Sequence, residues 1–215
     1  MAKINLGILG GFNGKVGTVV GSFWKGIPVM RAYVRNIRNR DTAAQRLVRM
    51  RFALLGEMTS AFNGALLLGL KNTAARNKMT EGNVFVKLNW DKVTVSADGV
   101  SSVDYAQMVL SQGPLDNVLF GSARFDTPSQ VDISFGANDD GDRSDAEDNV
   151  YVFVYNPESK SGSLSKAAKR GDATMSIKVP AQWNGSKVHI WGFTVSNDLN
   201  PVSSRSTYIG TGTIG

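Results

Sequence analysis

Residues 7–26 read GILGGFNGKVGTVVGSFWKG, and whether these glycines cradle a phosphate or shape a sheet decides how the chain begins to fold. A phosphate loop needs Gly, four residues, then Gly-Lys-Ser/Thr, so that backbone amides wrap the phosphates and the hydroxyl reaches magnesium. Here three residues separate Gly10 from Gly14-Lys15, and Val16 stands where the hydroxyl is required. The dinucleotide pattern Gly-x-Gly-x-x-Gly does not occur in the stretch, and the residues after the glycines are β-prone rather than helical. The glycines therefore read as backbone permissions: Gly10, Gly11 and Gly14 for turns, Gly17 and Gly21 for close approach or bends within a strand. Val16 to Trp24 and Ile27 to Val34 are β-prone runs on either side of Lys25-Gly26, which predicts a hairpin.

Past the hairpin, RNIRNRDTAAQ leads to Thr42 and, three residues on, Gln45, the spacing of a capping box. From Ala43 to about Leu70 apolar residues (Leu47, Leu54, Leu55, Met58, Phe62, Leu66, Leu70) recur every three or four positions. This predicts one amphipathic helix, or two broken near Thr59-Ser60. A further helix has a capped start at Thr80, although Val84 to Val86 suit a strand equally well.

Beyond Asp98-Gly99 short β-prone runs alternate with Gly, Pro, Asn and Asp. Strands are expected near Val103 to Leu110, Val118 to Phe125, Gln130 to Phe135, Val150 to Tyr155, Thr174 to Val179, Lys187 to Ser196 and Ser206 to Thr213. Seven such runs describe an antiparallel sandwich of immunoglobulin-like size, with NDDGDRSDAEDN and PESKSGSLSKAAKRGD as exposed loops. The expected fold is thus α+β: an N-terminal β-hairpin and short helical segment, then an antiparallel immunoglobulin-like β-sandwich. The expected division is a basic hairpin-plus-helix region, 1–98, and a sandwich, 99–215.

The chain has 215 residues, 42% of them hydrophobic, enough for a sizeable core, and no cysteine, which excludes disulfides and thiolate metal sites. Its opening makes a poor signal peptide, and the longest apolar segment, GALLLGL, is far too short to cross a bilayer. A cytoplasmic protein without a membrane partner is expected. The net charge of +6 hides an asymmetry. Residues 1–80 carry thirteen Lys and Arg against Asp41 and Glu57, net +11, and the remainder eleven against sixteen acids, net −5. That split fits a basic surface aimed at a polyanion or at another copy, as well as ordinary solvated charge. The residues nominated for such contact are Lys15, Lys25, Arg31, Arg35, Arg38, Arg40, Arg46 and Arg49.

Signs of catalysis are weak. Asp139, Asp140, Asp142, Asp145, Glu147 and Asp148 offer hard oxygen ligands, but no frame gives the alternating ligands of a calcium loop, and a solvated acidic loop is expected. His189, the single histidine, alternates with Val188 and Ile190 on a predicted strand and faces away from them. No convergence of nucleophile and orienting acid on it is visible, and a structural role is expected. Trp24, Trp90, Trp183, Trp191, Tyr33 and Phe12 are either core residues or stacking platforms for single-stranded nucleic acid. No known nucleic-acid module pattern occurs.

The opening block GILGGFNGKVGTVVGSFWKG, with MTEGNVFVKLN (79–89), VDYAQMVLSQGPL (103–115) and SSRSTYIG (203–210), resembles an uncharacterised domain-of-unknown-function family of about this length, common in Bacteroidetes. The resemblance implies a bacterial or bacteriophage origin and brings no activity and no catalytic residue with it. The expectation is a non-enzymatic structural or assembly protein without a cofactor, forming a homo-oligomer or larger assembly through its basic N-terminal region. The alternatives are a nonspecific DNA- or RNA-binding protein and, more narrowly, a virion component.

Overall fold

A computed structural model describes residues 2–3, 12–36, 39–138, 143–165 and 168–215. Two compact units form, Met1–Thr42 and Ala43–Gly215. The boundary expected after residue 98 falls inside the second unit, because the helices and the sandwich share one core.

In the first unit, β1 (Ala2–Lys3), β2 (Gly14–Val16), β3 (Val19–Trp24) and β4 (Ile27–Ala32) make an antiparallel sheet in the order β1-β4-β3-β2. Lys25 and Gly26 join β3 to β4 with φ of 44° and 78°, the two positive values of a type I′ turn. The run from Val16 to Trp24 is not one strand. Gly17, at φ 59°, turns the chain with Thr18 between β2 and β3, so this glycine serves a turn rather than an in-strand approach. Gly21 does allow close approach, since a Cβ there would lie 2.3 Å from the Phe12 carbonyl oxygen and 2.7 Å from its ring. Gly10 and Gly11 lie outside the described residues.

The second unit opens with four helices: α1 (Ala43–Ala61), α2 (Asn63–Gly69), α3 (Lys71–Asn77) and α4 (Glu81–Asn89). The first break falls at Phe62, whose buried ring faces inward, and not at Thr59-Ser60. Thr80 Oγ1 accepts from the Asn83 amide at 3.2 Å, and this cap settles the Val84 to Val86 region as helix. A small hairpin comes next, β5 (Val93–Val95) with β6 (Ser101–Val103).

The strand expected from Val103 to Leu110 does not form beyond Val103. Asp104 accepts from the Gln107 amide at 3.2 Å, which winds Tyr105–Gln107 into a 3₁₀ turn. Buried Asn89 then pairs its side-chain amide with both backbone groups of Val109, at 2.9 and 2.8 Å.

The sandwich is built from β7 (Leu119–Arg124), β8 (Gln130–Gly136), β9 (Asn149–Asn156), β10 (Ser161–Leu164), β11 (Ala168–Lys169), β12 (Thr174–Lys178), β13 (Lys187–Val195) and β14 (Thr207–Thr213). One sheet runs β12-β8-β7; the other runs β10-β9-β13-β14, with β11 also pairing β9. Every strand pairing is antiparallel, and the chain crosses between sheets at β8 to β9, β11 to β12 and β12 to β13. Six of the expected strands are present. Two more, β10 and the two-residue β11, lie inside a segment expected to be an exposed loop.

Alternation along β9 and β13 makes three layers. Val150, Val152, Val154, Val188 and Ile190 face the smaller sheet and pack with Val131, Ile133, Met175 and Ile177. Phe153, Tyr155, Trp191 and Phe193 face the helices and pack around Phe62, Phe85 and Leu66. Phe62 meets Phe85, Phe153 and Tyr155 edge-on at 5.5, 5.0 and 4.8 Å, an arrangement that adds to simple burial. Among the described residues no single helix is long and apolar enough to cross a membrane, and α1 and α2 meet at an 81° bend.

Candidate interaction surface

The register of the N-terminal sheet sorts its side chains onto two unlike faces. Directly opposed residues share a face, so Lys15, Val20 and Arg31 lie together, as do Ser22 with Val29 and Trp24 with Ile27. Tyr33 continues this face, its amide donating to the Thr18 carbonyl at 2.8 Å. The Lys15 ammonium sits 3.7 Å from the Tyr33 ring centroid, a cation–π contact worth about 0.5–1 kcal/mol where exposed.

The opposite face carries Val16, Val19 and Ala32 in one row, Gly14, Gly21 and Met30 in the next, and Phe23 beside Pro28. It holds no charge, and Phe12 lies over Gly21 at its centre. Val16 is 64% exposed and Phe23 52%. Across residues 12–36 only Gly21 is buried. Among the described residues, this sheet therefore fully buries no side chain.

The nominated cations divide between the units. Lys25 occupies the β3–β4 turn, and Arg35 and Arg40 come after β4, all exposed. Arg46 and Arg49 are exposed on the first turns of α1, in the second unit, and Arg38 lies outside the described residues. Residues 1–42 carry seven Lys and Arg against Asp41, so this unit's sequence accounts for the whole net charge of +6. Arg51, not nominated, is structural: its Nε donates to the Val93 carbonyl and its guanidinium stacks 4.7 Å from the Trp90 ring, tying α1 to β5.

The exposed apolar residues cluster in the same part of the chain. Of the twelve large hydrophobic residues exposed among those described, eight fall between Val16 and Phe52, including Val48, Met50 and Phe52 on α1. Five of the eight lie in the first unit and three on α1 of the second; isolated exposed hydrophobics are ordinary, but concentrations within one element mark surfaces that are covered in use. Trp183 and Trp191 are core residues, and Trp90 holds Arg51, which leaves Trp24 and Tyr33 as the exposed aromatics of the basic face.

Elsewhere the potentially reactive groups are absorbed by structure. His189 faces the helix side as its alternation predicts, and its Nδ1 lies 2.8 Å from the Tyr208 hydroxyl. Tyr105 stacks on the imidazole at 4.0 Å. Burial, with Lys187 adding to it, pushes the His189 pKa down to about 4. Burial first, then Tyr105 and Glu57, pushes Tyr155 up to about 12. Among the described residues no carboxylate is hydrogen-bonded to this imidazole.

Asp148, expected in a solvated loop, is buried. It accepts from Arg170 Nη2 at 3.0 Å and from the Asp145 amide at 3.0 Å. Arg170, also expected in an exposed loop, is fully buried and donates further to the carbonyls of Ala137, Asn138 and Asp116 at 3.0, 3.0 and 2.7 Å. The pair fastens the segment before β7 and the β8–β9 connection to β11. Asp139, Asp140 and Asp142 lie outside the described residues. Among the described residues no group of three His, Cys, Asp or Glu is placed to hold a metal ion. An open cleft of about 570 Å³ is lined by Arg143, Asp145, Glu147 and Asp198 together with Ser144 and Ser196.

A sandwich of a three-stranded and a five-stranded antiparallel sheet, with crossovers between them, places the second unit among immunoglobulin-like folds, here with helices covering one sheet. The chain belongs to DUF6266, a family of unknown function whose pattern matches residues 11–210. No curated protein matches it. Among solved structures, the fn3 domain of human collagen alpha-1(XX) chain is similar over 48% of this chain and 84% of that one, at 10% identity and a TM-score of 0.32.

Proposed function

We propose that this is a non-enzymatic assembly protein whose three-layered body serves as a rigid mount and whose N-terminal sheet is the element that makes contact. The observation that carries this reading is that, among its described residues, the sheet fully buries no side chain. A two-stranded hairpin is marginal in water, and added strands help only when a face is covered. Here Val16, Phe23, Trp24 and Tyr33 stay exposed on the one unit whose sequence holds all the net charge. Partners of two kinds suit it, a neighbouring subunit and a polyanion. The size of the purified protein by light scattering, with its ultraviolet absorbance ratio for co-purifying nucleic acid, tests the reading. A multimer or bound polyanion is expected; a strict monomer with affinity for neither overturns it.

A second reading, nonspecific binding of single-stranded nucleic acid, is favoured by the basic face, where Lys15 and Arg31 lie beside the exposed rings of Trp24 and Tyr33. Aromatic faces stack bases while cations track the backbone. Such binding weakens steeply with salt, and Arg31→Glu is expected to reduce it; salt-independent retention would contradict it.

A further inference from the structure

The two faces of the N-terminal sheet suit different partners. A polyanion or an acidic surface gains nothing from a face without a cation, and Lys15 and Arg31 both lie on the other one. We infer that the uncharged face, formed by Val16, Val19, Phe23, Pro28, Met30 and Ala32 around Phe12, receives the same face of a second copy of this chain. The result is a two-fold dimer with its basic faces turned outward. This rests on the proposed function only in taking the N-terminal sheet as the contact element.

Three physical points favour a second copy as the occupant. A two-fold contact requires a patch that complements itself, and an uncharged, apolar sheet face does so, whereas the basic face repels its own image. Stacked sheets sit about 10 Å apart, which places the two outer basic faces roughly 20 Å apart. That exceeds the Debye length of about 8 Å at physiological ionic strength, so Lys15 and Arg31 of the two copies do not oppose docking. The centre of the face is a phenyl ring, Phe12 over Gly21, with the half-exposed Phe23 on the same face, and aromatic anchors of this kind dominate binding energy in protein interfaces.

The size of the face fixes the strength. Two strands of six residues and one of three, at about 3.3 Å per residue and about 4.8 Å apart, give a footprint of about 240 Å². A standard interface buries about 800 Å² per partner, so the dimer exchanges rapidly and its population depends on concentration.

Light scattering of the full chain through the micromolar range and above tests this. The wild-type mass is expected to rise toward twice the monomer. Phe23→Glu and Val16→Glu, each placing a charge at an exposed position of the apolar face, are expected to stay monomeric with an unchanged circular dichroism spectrum. Lys15→Glu and Arg31→Glu are expected to dimerise at least as well as wild type. Dimerisation of Phe23→Glu and Val16→Glu at wild-type strength overturns the inference. If Arg31→Glu dissociates the assembly instead, the sheet is still the contact element and only the face is wrong. A wild type that stays monomeric throughout also overturns it, and salt-dependent retention on immobilised heparin then decides whether the broader reading survives.

Discussion

Arg170→Met removes the centre of the most heavily bonded polar cluster in the second unit. The guanidinium is fully buried, with four hydrogen bonds between 2.7 and 3.0 Å, and only its Nε lacks a partner. Methionine fills much of the same volume, so the loss is mainly electrostatic. Among the described residues, Asp148, 2% exposed, keeps the Asp145 amide, and three carbonyls lose a donor. Breaking one side of a buried ion pair costs about 3–5 kcal/mol, because the remaining charge stays desolvated. In a domain of this size each kcal/mol moves the melting temperature by roughly 2–4 °C, so a fall of about 6–20 °C is expected. Thermal unfolding followed by circular dichroism measures it. Arg170→Met with Asp148→Leu, which removes both charges, is expected to recover a substantial part of the loss. If the single variant melts within about 2 °C of wild type, or the double variant is simply the sum of its parts, the pair does not hold these loops.

The lowered pKa of His189 makes stability depend on pH. The folded chain keeps the imidazole neutral down to about pH 4, while the unfolded chain protonates near its ordinary value of 6.5. The contribution is fully present above pH 6.5 and is lost as pH falls toward 4. His189→Gln is expected to flatten that part of the profile in urea titrations at stepped pH; an unchanged slope contradicts the assignment. At Gly192 an added Cβ would lie 2.1 Å from the Phe120 ring tip, so Gly192→Ala forces ring and strand apart. A destabilisation of about 1–3 kcal/mol by denaturant unfolding is expected, and a neutral result would mean that the two sheets are not packed this closely.

Local chemistry made much of the fold legible. Lys25-Gly26 announced a two-residue turn, the three-and-four spacing announced the helices, and six sandwich strands stood between clear turn signals. The failures have local causes. Ser161–Leu164 has no β-branched residue, and it becomes a strand because β9 pairs with it and Gly162 lets the Phe153 ring approach. The segment after Val103 was misread because its β-like bonding comes from the side chain of Asn89, distant in sequence. The boundary at 98 missed a signal that was present. NVYVFVYN and KVHIWGFTV are apolar on both alternating sets, as expected of strands covered on both faces, and here one cover is the helices. The candidate site was legible as a set of charges but not as a surface. Only the register set by the Gly17-Thr18 and Lys25-Gly26 turns separates Lys15 and Arg31 from Val16 and Phe23.

That the N-terminal sheet is where this protein makes contact is tested most directly by amide hydrogen exchange in the dilute full chain, the concentrated chain, and the chain with a polyanion. Protection is expected to rise at residues 19–24 and 27–32 in at least one of the two loaded states, with the amides of β13 unchanged. If assembly or polyanion binding occurs and protection changes elsewhere while these two strands stay as they were, the contact lies on another surface and the account is wrong.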